Sequence, residues 1–381
     1  MNGKIRTYTV LALNITFTIA CVILIAAYPP PGTARGIFPV DAARVRTADW
    51  QRRDCLGVEC ELCPFRCFLP EGSRGLCKVR MNSGGELRTL VYAQPISVHI
   101  DPIEKKPVYH MLPGSRIFSL ATVGCNLKCS FCQNWEISQT YPEQAGKHAE
   151  ILSPKEIVDA AIRNKCGSIA YTYSEPVVFY EYVLDIAKLA KEKGLRNVMV
   201  SAGYINPEPL KKLAPYMDVV KIDLKGFNER FYRKVTGGDL KYVLAALKEL
   251  HELGVMVEVV NLVVPGLNDD IEEIERMCKW LYENMGPDTP VFFSKFTPQY
   301  RLANLPATPI ETLEKARKIA MTAGLKYVYI GNVSGHPAEN TYCPKCGKTL
   351  IRRYGYSIQE KNMKNGACGT CGEKIPGIWK N

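Results

Sequence analysis

Histidine and tryptophan are sparse in this 381-residue chain, at five and four. Nowhere do basic residues form a block with aromatics between them. A surface that tracks nucleic acid needs such a block, so nucleic-acid binding is not expected. His99, His110 and His336 stand near turns; surface or core-satisfied histidines are the common case, and none is put forward as a site residue. Cysteine, by contrast, is plentiful at fifteen, and it is clustered. Short-spaced clusters in a chain this long argue for metal binding over a disulfide framework. Hydrophobic content of 46% with 23% charged residues allows a sizeable core, in one large α/β domain with small additions or in two domains. The net charge of +11 suits an acidic electron donor, an acidic partner or an anionic membrane surface.

One stretch lacks charge altogether. Val10 to Tyr28 is a nineteen-residue apolar run, preceded by Lys4 and Arg6. Its length is close to the roughly 20 residues that cross a bilayer. The expectation is therefore an N-terminal hydrophobic anchor and linker over residues 1–31, closed by the stiff Pro29-Pro30-Pro31-Gly32. A cleaved signal peptide is the rival, although the run exceeds an h-region of roughly 7–15 residues. Cys21 falls inside the run rather than behind it, which argues against a lipoprotein site. Arg35, Arg44 and Arg46 balance Lys4 and Arg6, so the positive-inside bias is small.

The cysteines form three groups. Cys60, Cys63, Cys67 and Cys77 read C-x2-C-x3-C-x9-C, a closed four-thiolate site for structural zinc or for an accessory iron–sulfur cluster. Cys343, Cys346, Cys368 and Cys371 read C-x2-C…C-x2-C, the spacing of a zinc-ribbon-like segment over 340–381 with structural zinc as its implied metal. Between them, Cys125, Cys129 and Cys132 read C-x3-C-x2-C, with Phe131 just before the third. A four-iron cube normally takes four thiolates. This loop supplies three, and Gln133, Asn134 and Trp135 offer no good fourth ligand. An iron without a protein ligand is open to chemistry.

Around these groups the chain alternates. Residues 50–110 read as a Cys-rich segment with a β-hairpin, its strands Leu87 to Ala93 and Ile96 to Ile100 flanking Pro95. Over 111–335, strand-like runs at Ile117–Val123, Ser168–Tyr173, Asn197–Ser201, Val219–Leu224, Val255–Val264, Val291–Phe296 and Lys326–Ile330 alternate with amphipathic segments. Ser153-Pro154-Lys155-Glu156 and Thr308-Pro309-Ile310-Glu311 read as helix starts, and Gly194 and Gly324 as helix stops. The expected fold is α/β: a partial or full parallel (β/α) barrel with its functional groups at the carboxyl ends of the strands. Cys166 and Cys278 are expected in helical segments as buried small hydrophobes.

The three-cysteine loop resembles that of the radical S-adenosylmethionine (SAM) superfamily. Tyr171-Thr172-Tyr173-Ser174-Glu175-Pro176 matches that superfamily's Gly-Gly-Glu-Pro turn at Glu175 and Pro176, while Tyr173 and Ser174 replace both glycines. Lys221-Ile222-Asp223-Leu224-Lys225-Gly226 is similar to a segment of glycyl-radical-enzyme activating proteins of the pyruvate formate-lyase type. Four further features are the Cys-x2-Cys-Pro-x2-Cys segment, Asp101 to Pro107, Cys132-Gln133-Asn134-Trp135-Glu136-Ile137-Ser138 and Gly335 to Cys343. Together they resemble the AmmeMemoRadiSam-system radical SAM enzymes over nearly everything after residue 50.

That resemblance implies a [4Fe-4S] cluster on Cys125, Cys129 and Cys132, with SAM chelating the free iron. The reduced cluster would cleave SAM to methionine and a 5′-deoxyadenosyl radical that abstracts hydrogen. It assigns cofactor contacts to Phe131, Ser174, Glu175, Ser201, Asp223 and Lys225, and an apolar wall for the adenine to Val263-Val264-Pro265-Gly266. It implies a low-potential electron donor of flavodoxin or ferredoxin type and a body in the reducing cytoplasm, membrane-anchored if 10–28 is retained. The target it implies is a glycine Cα in a partner protein. Two rivals stand beside this reading: radical chemistry on a small molecule or lipid, and a membrane-tethered metal or electron-carrier module without catalysis.

Overall fold

Strand-forming runs that are apolar on both faces belong in a parallel sheet covered by helices, and such runs dominate the middle of the chain. The computed structural model describes residues 45–145 and 151–380. Its central sheet has eight strands: β1 (Ser97–Pro102), β2 (Arg116–Ala121), β3 (Ser168–Tyr171), β4 (Arg196–Ser201), β5 (Val219–Asp223), β6 (Met256–Val263), β7 (Val291–Lys295) and β8 (Val328–Gly331). They lie in sequence order, with β2 to β8 parallel and β1 antiparallel to β2. Every residue of β3 and β8 is buried. Among the described residues β1 and β8 pair on one side only, so the sheet is the open form of the expected barrel.

The helices α1 (Pro154–Arg163), α2 (Tyr180–Glu192), α3 (Pro207–Leu213), α4 (Leu240–Glu252), α5 (Ile271–Met285) and α6 (Ile310–Thr322) connect the strands. Helix α1 starts as expected: Ser153 Oγ accepts from Glu156 N while the Glu156 carboxylate accepts from Ser153 N. Gly194 and Gly324 end α2 and α6 with φ of +76° and +102°. At Gly324 an added Cβ would stand 2.6 Å from the Tyr282 ring, so glycine is required there twice over.

Three expectations are corrected. The strands flanking Pro95 do not form a hairpin. Glu86–Thr89 pairs with Arg80–Ser83 in a separate small sheet, whereas β1 joins the central sheet through β2. Proline withholds a ladder donor, and the chain uses that break to pass from one sheet to the next. Thr308 does not cap α6. It is buried, donating from Oγ1 to the Val263 carbonyl at 2.6 Å and accepting from Phe296 N at 2.7 Å, so it stitches β6 to the end of β7 instead. Cys278 is buried in α5, but Cys166 lies just past α1, in the turn into β3.

The N-terminal segment shares the sheet's core: Val58, Leu62, Leu69 and Val79 join one apolar cluster with Val123, Leu127 and Val177. Arg80 and Glu181 fasten it to α2 through a 2.6 Å ion pair in which both side chains are at most 2% exposed. The C-terminal segment packs elsewhere, in a cluster with Tyr109, Phe292 and Tyr329. Arg353 is buried there, donating to the carbonyls of Glu339 and Tyr109. The apolar run 10–28 lies outside the described residues. Among the described residues, no helix is long and apolar enough to cross a membrane.

Candidate active site

The carboxyl ends of β2 to β5 carry the cysteines and the six residues expected to contact the cofactor, and Val263 to Gly266, the expected adenine wall, stands at the end of β6. The loop after β2 holds Cys125, Cys129 and Cys132, and its backbone is tied down on both sides. Lys128 N and Ser130 N donate to the carbonyls of Thr236 and Val235, and Gln139 Nε2 donates to the Leu127 carbonyl. Gly124 opens the loop with φ +100°; an added Cβ would stand 2.6 Å from Val79 Cγ1 and 2.9 Å from the Cys77 carbonyl oxygen. Only glycine fits that approach. Phe131 is buried and stacks on Phe231 at 6.2 Å between centroids.

Glu175 follows β3 and is 2% exposed. Its Oε1 accepts from Ser201 Oγ at 2.6 Å and from Val177 N at 3.2 Å, and its Oε2 accepts from Ala202 N at 2.9 Å. Burial pushes its carboxyl above the ordinary range, and these three donors pull against that shift. Ser201 thus joins the end of β4 to the turn after β3. Ser174 donates from Oγ to the Thr122 carbonyl at 2.7 Å, which ties the same turn to β2.

At the end of β5, Asp223 lies between two cations, bonded to Lys221 Nζ and, at 3.2 Å, to Lys225 Nζ. Burial raises its carboxyl, yet the two ammonium groups outweigh that and hold it down at about 2. Lys225 Nζ also stands 5.8 Å over the Phe131 ring. The thiols report the resulting field. Burial pushes the Cys129 thiol up to about 11, with Lys225 restraining the rise. Cys125 is driven well above its ordinary value by burial, and the negative charge of Glu175 adds to it.

Tyr173 adopts φ +64° at a position where the expected motif has glycine. Strain of this kind costs about 1–3 kcal/mol and persists only where neighbours hold it. Here they do. The Tyr173 carbonyl accepts from Asn134 Nδ2 at 2.8 Å, its hydroxyl bonds to Asp101, and Lys106 Nζ stands 4.1 Å over its ring. Asp101 in turn accepts from Lys105 at 2.9 Å and Lys106 at 2.5 Å. The Asp101–Pro107 stretch therefore supports the turn. Lys106 and Lys221, both buried, were not singled out as site residues from the sequence. A lone lysine inside the apolar run Val219–Leu224 was the available signal for Lys221. No local pattern announces the Asp101–Tyr173 bond.

The other aromatics near the turn are packing. Tyr171, Tyr180 and Tyr182 are fully buried, with their hydroxyls on Asn197 Oδ1 and on the carbonyls of Pro209 and Leu152. His99, His110 and His336 are likewise structural. His110 bridges the Pro376 carbonyl and the Tyr329 hydroxyl, His99 meets the Tyr173 ring edge-on, and His336 accepts from Ala338 N.

The C-terminal cysteines converge on a point. Cys343, Cys346, Cys368 and Cys371 place their sulfurs within 4.8 Å of one another, with 3.6 Å from Cys343 to Cys371 and 3.7 Å from Cys346 to Cys368. Among the described residues neither the Cys125 loop nor the N-terminal four forms so tight a group, and no fourth His, Cys, Asp or Glu ligand closes on the Cys125 loop within that spacing. Three thiols on one loop, Cys129 buried and Cys125 and Cys132 partly so, unclosed by a fourth ligand and flanked by Lys225, suit a cluster with one iron left to a substrate.

A family model described as the radical SAM superfamily matches residues 119–281. An uncharacterized protein of Methanocaldococcus jannaschii is 46% identical over 328 residues, covering 86% of this chain and 97% of the relative. The pyruvate formate-lyase-activating enzyme of Clostridium pasteurianum is 25% identical over 214 residues, 51% of this chain and 86% of that enzyme. Among solved structures, Streptococcus suis SuiB bound to precursor peptide SuiA matches with a TM-score of 0.46 and 13% identity, over 61% of this chain and 52% of that one. The chain belongs to the radical SAM superfamily.

Proposed function

We propose that this chain is an activating-enzyme-like radical SAM enzyme whose target is a glycine Cα of a partner protein. The observation that carries the reading is the convergence, at four adjacent strand ends, of three thiols, the Glu175–Ser201 pair and the Asp223–Lys225 pair. When bound, the cluster and SAM supply one-electron reductive cleavage of a sulfonium and hydrogen abstraction from the target. Cys125, Cys129 and Cys132 are the residues that would hold the cluster. Glu175 has four lone-pair sites and spends three on Ser201, Val177 and Ala202, which leaves one on Oε2 for an ammonium donor. Lys225 and Lys221, held by Asp223, present positive charge to a carboxylate at the same mouth, where scarce water strengthens the attraction. The similarity to pyruvate formate-lyase-activating enzymes supports a protein substrate and a low-potential electron donor.

Anaerobically reconstituted protein, given reductant and SAM, is expected to release 5′-deoxyadenosine, and the triple Cys125→Ala, Cys129→Ala, Cys132→Ala variant is expected to release none. A wild-type protein with full iron that leaves SAM intact would refute the enzymatic reading. Paramagnetic resonance after incubation with glycyl-radical proteins tests the target: a glycyl signal supports it, and SAM turnover without one argues for another substrate.

For the C-terminal group the reading is a single structural zinc ion. Zinc–sulfur bonds of about 2.3 Å in a tetrahedron separate the sulfurs by about 3.8 Å, close to the 3.6 and 3.7 Å found.

A further inference from the structure

The N-terminal four cysteines do not close as the C-terminal four do. Cys60, Cys63, Cys67 and Cys77 line one cavity, with Arg80 and Asn126 among its other walls. Two of the sulfurs stand beside Gly75, itself in the cavity wall: a Cβ built on it would lie 3.7 and 3.8 Å from Cys67 Sγ and Cys77 Sγ. A tetrahedral zinc site at Zn–S of about 2.3 Å would draw four sulfurs nearly into contact and leave no cavity between them. Here the same four residue types surround a void, and the sulfurs are not within 4.8 Å of one another. Four thiolates spaced around a void are the donor set of a cube.

Arg80 gives an independent indication. Its side chain is 2% exposed, and only Nη2 is engaged with a carboxylate, at 2.6 Å from Glu181 Oε2. Nε and Nη1 are buried without a hydrogen-bond partner although they belong to a residue lining the cavity. Leaving a buried donor unmade costs about 1–3 kcal/mol, more for a charged group, so these donors call for an acceptor. A thiolate-ligated iron–sulfur cluster is anionic, and its sulfurs accept hydrogen bonds.

We propose that Cys60, Cys63, Cys67 and Cys77 ligate a second [4Fe–4S] cluster, with Arg80 donating to it from Nε and Nη1. The site is coordinatively closed, because the protein supplies all four thiolates. It abuts the first site through two residues: Asn126, which follows Cys125, lines the cavity, and Gly124 packs on the Cys77 carbonyl.

The test is metal content and paramagnetic resonance of the full chain purified anaerobically without added iron. About eight irons and eight sulfides per chain are expected, falling to about four in the triple Cys125→Ala, Cys129→Ala, Cys132→Ala variant. That variant leaves the proposed site untouched, so its reduced form must still show a cluster signal, now unresponsive to SAM. Two zinc ions and no cluster signal in the same variant would overturn the proposal, whether or not the wild type cleaves SAM. Arg80→Lys keeps a charge beside Glu181 but removes the fork of donors. It is expected to lower the reduction potential of this cluster and not of the other, since hydrogen bonds to the sulfurs help set the potential. An unchanged potential would overturn the role of Arg80.

Discussion

Ser201 donates from Oγ to Glu175 Oε1 at 2.6 Å and accepts on the same oxygen from Gly203 N at 3.0 Å. One hydroxyl thus couples a buried carboxylate to the backbone after β4. Ser201→Ala removes one of three donors to a 2% exposed carboxylate, a loss of about 1–3 kcal/mol. We expect SAM affinity, read by equilibrium dialysis on the cluster-loaded protein, to weaken by about tenfold, the equivalent of about 1.4 kcal/mol. Iron content should hold, and Ser201→Thr should restore binding. Equal affinity in Ser201→Ala and wild type would remove Glu175 from the binding site.

Lys225 has a different signature. Lys225→Met strips a charge-assisted partner from Asp223 and from any bound carboxylate, worth about 1.5–3 kcal/mol. SAM cleavage should slow by about ten- to a hundredfold at subsaturating SAM, with iron unchanged. Because Lys221 still pairs with Asp223, the fold should survive. A variant that binds and cleaves SAM as wild type does would leave Asp223–Lys225 as a structural ion pair.

The base of the sheet carries two opposed titrations. Glu258 on β6 accepts from Tyr109 N and His110 N, and burial raises it from 4.5 to about 7. Its folded form binds the extra proton, so its contribution is complete below pH 4.5 and is lost as pH rises through about 7. Burial lowers His110 from 6.5 to about 4, so its contribution is complete above pH 6.5 and is lost as pH falls through about 4. Between these limits the two slopes oppose each other. Glu258→Gln removes the first, and the melting temperature should then fall as pH drops from 6.5 to 4. The limiting slope is about 1.4 kcal/mol per pH unit. A profile parallel to wild type would refute this assignment.

Breaking the C-terminal cysteine group should be felt at the sheet. Cys346→Ser is expected to remove one zinc per chain, leave iron unchanged and lower the melting temperature, because Arg353 in that segment holds the Tyr109 carbonyl and lies 3.9 Å over its ring. Zinc retained at the wild-type level would contradict the single-ion reading.

Gly124→Ala places a methyl group against Val79 and the Cys77 carbonyl at φ +100°. A strain of about 1–3 kcal/mol is expected, with reduced iron content, since the same contact joins the two cysteine loops. Full iron at unchanged melting temperature would show that the loop can yield.

Much of this was legible along the chain. Spacing alone announced the three cysteine groups, and apolar runs separated by amphipathic segments announced the parallel sheet, because both signals are local. Register is a different matter. The break at Pro95 sends β1 into the central sheet, and Thr308 turns from a helix cap into a stitch between β6 and β7; both outcomes depend on partners far off in sequence.

Residue order by itself determined which thiols share a loop and which strand ends carry Glu175, Ser201 and Asp223. Whether a group of four cysteines shuts on one ion or stands around a void was decided only in three dimensions. Sulfur separation depends on what packs behind each loop, and a buried guanidinium some distance along the chain has no signature in the spacing of cysteines.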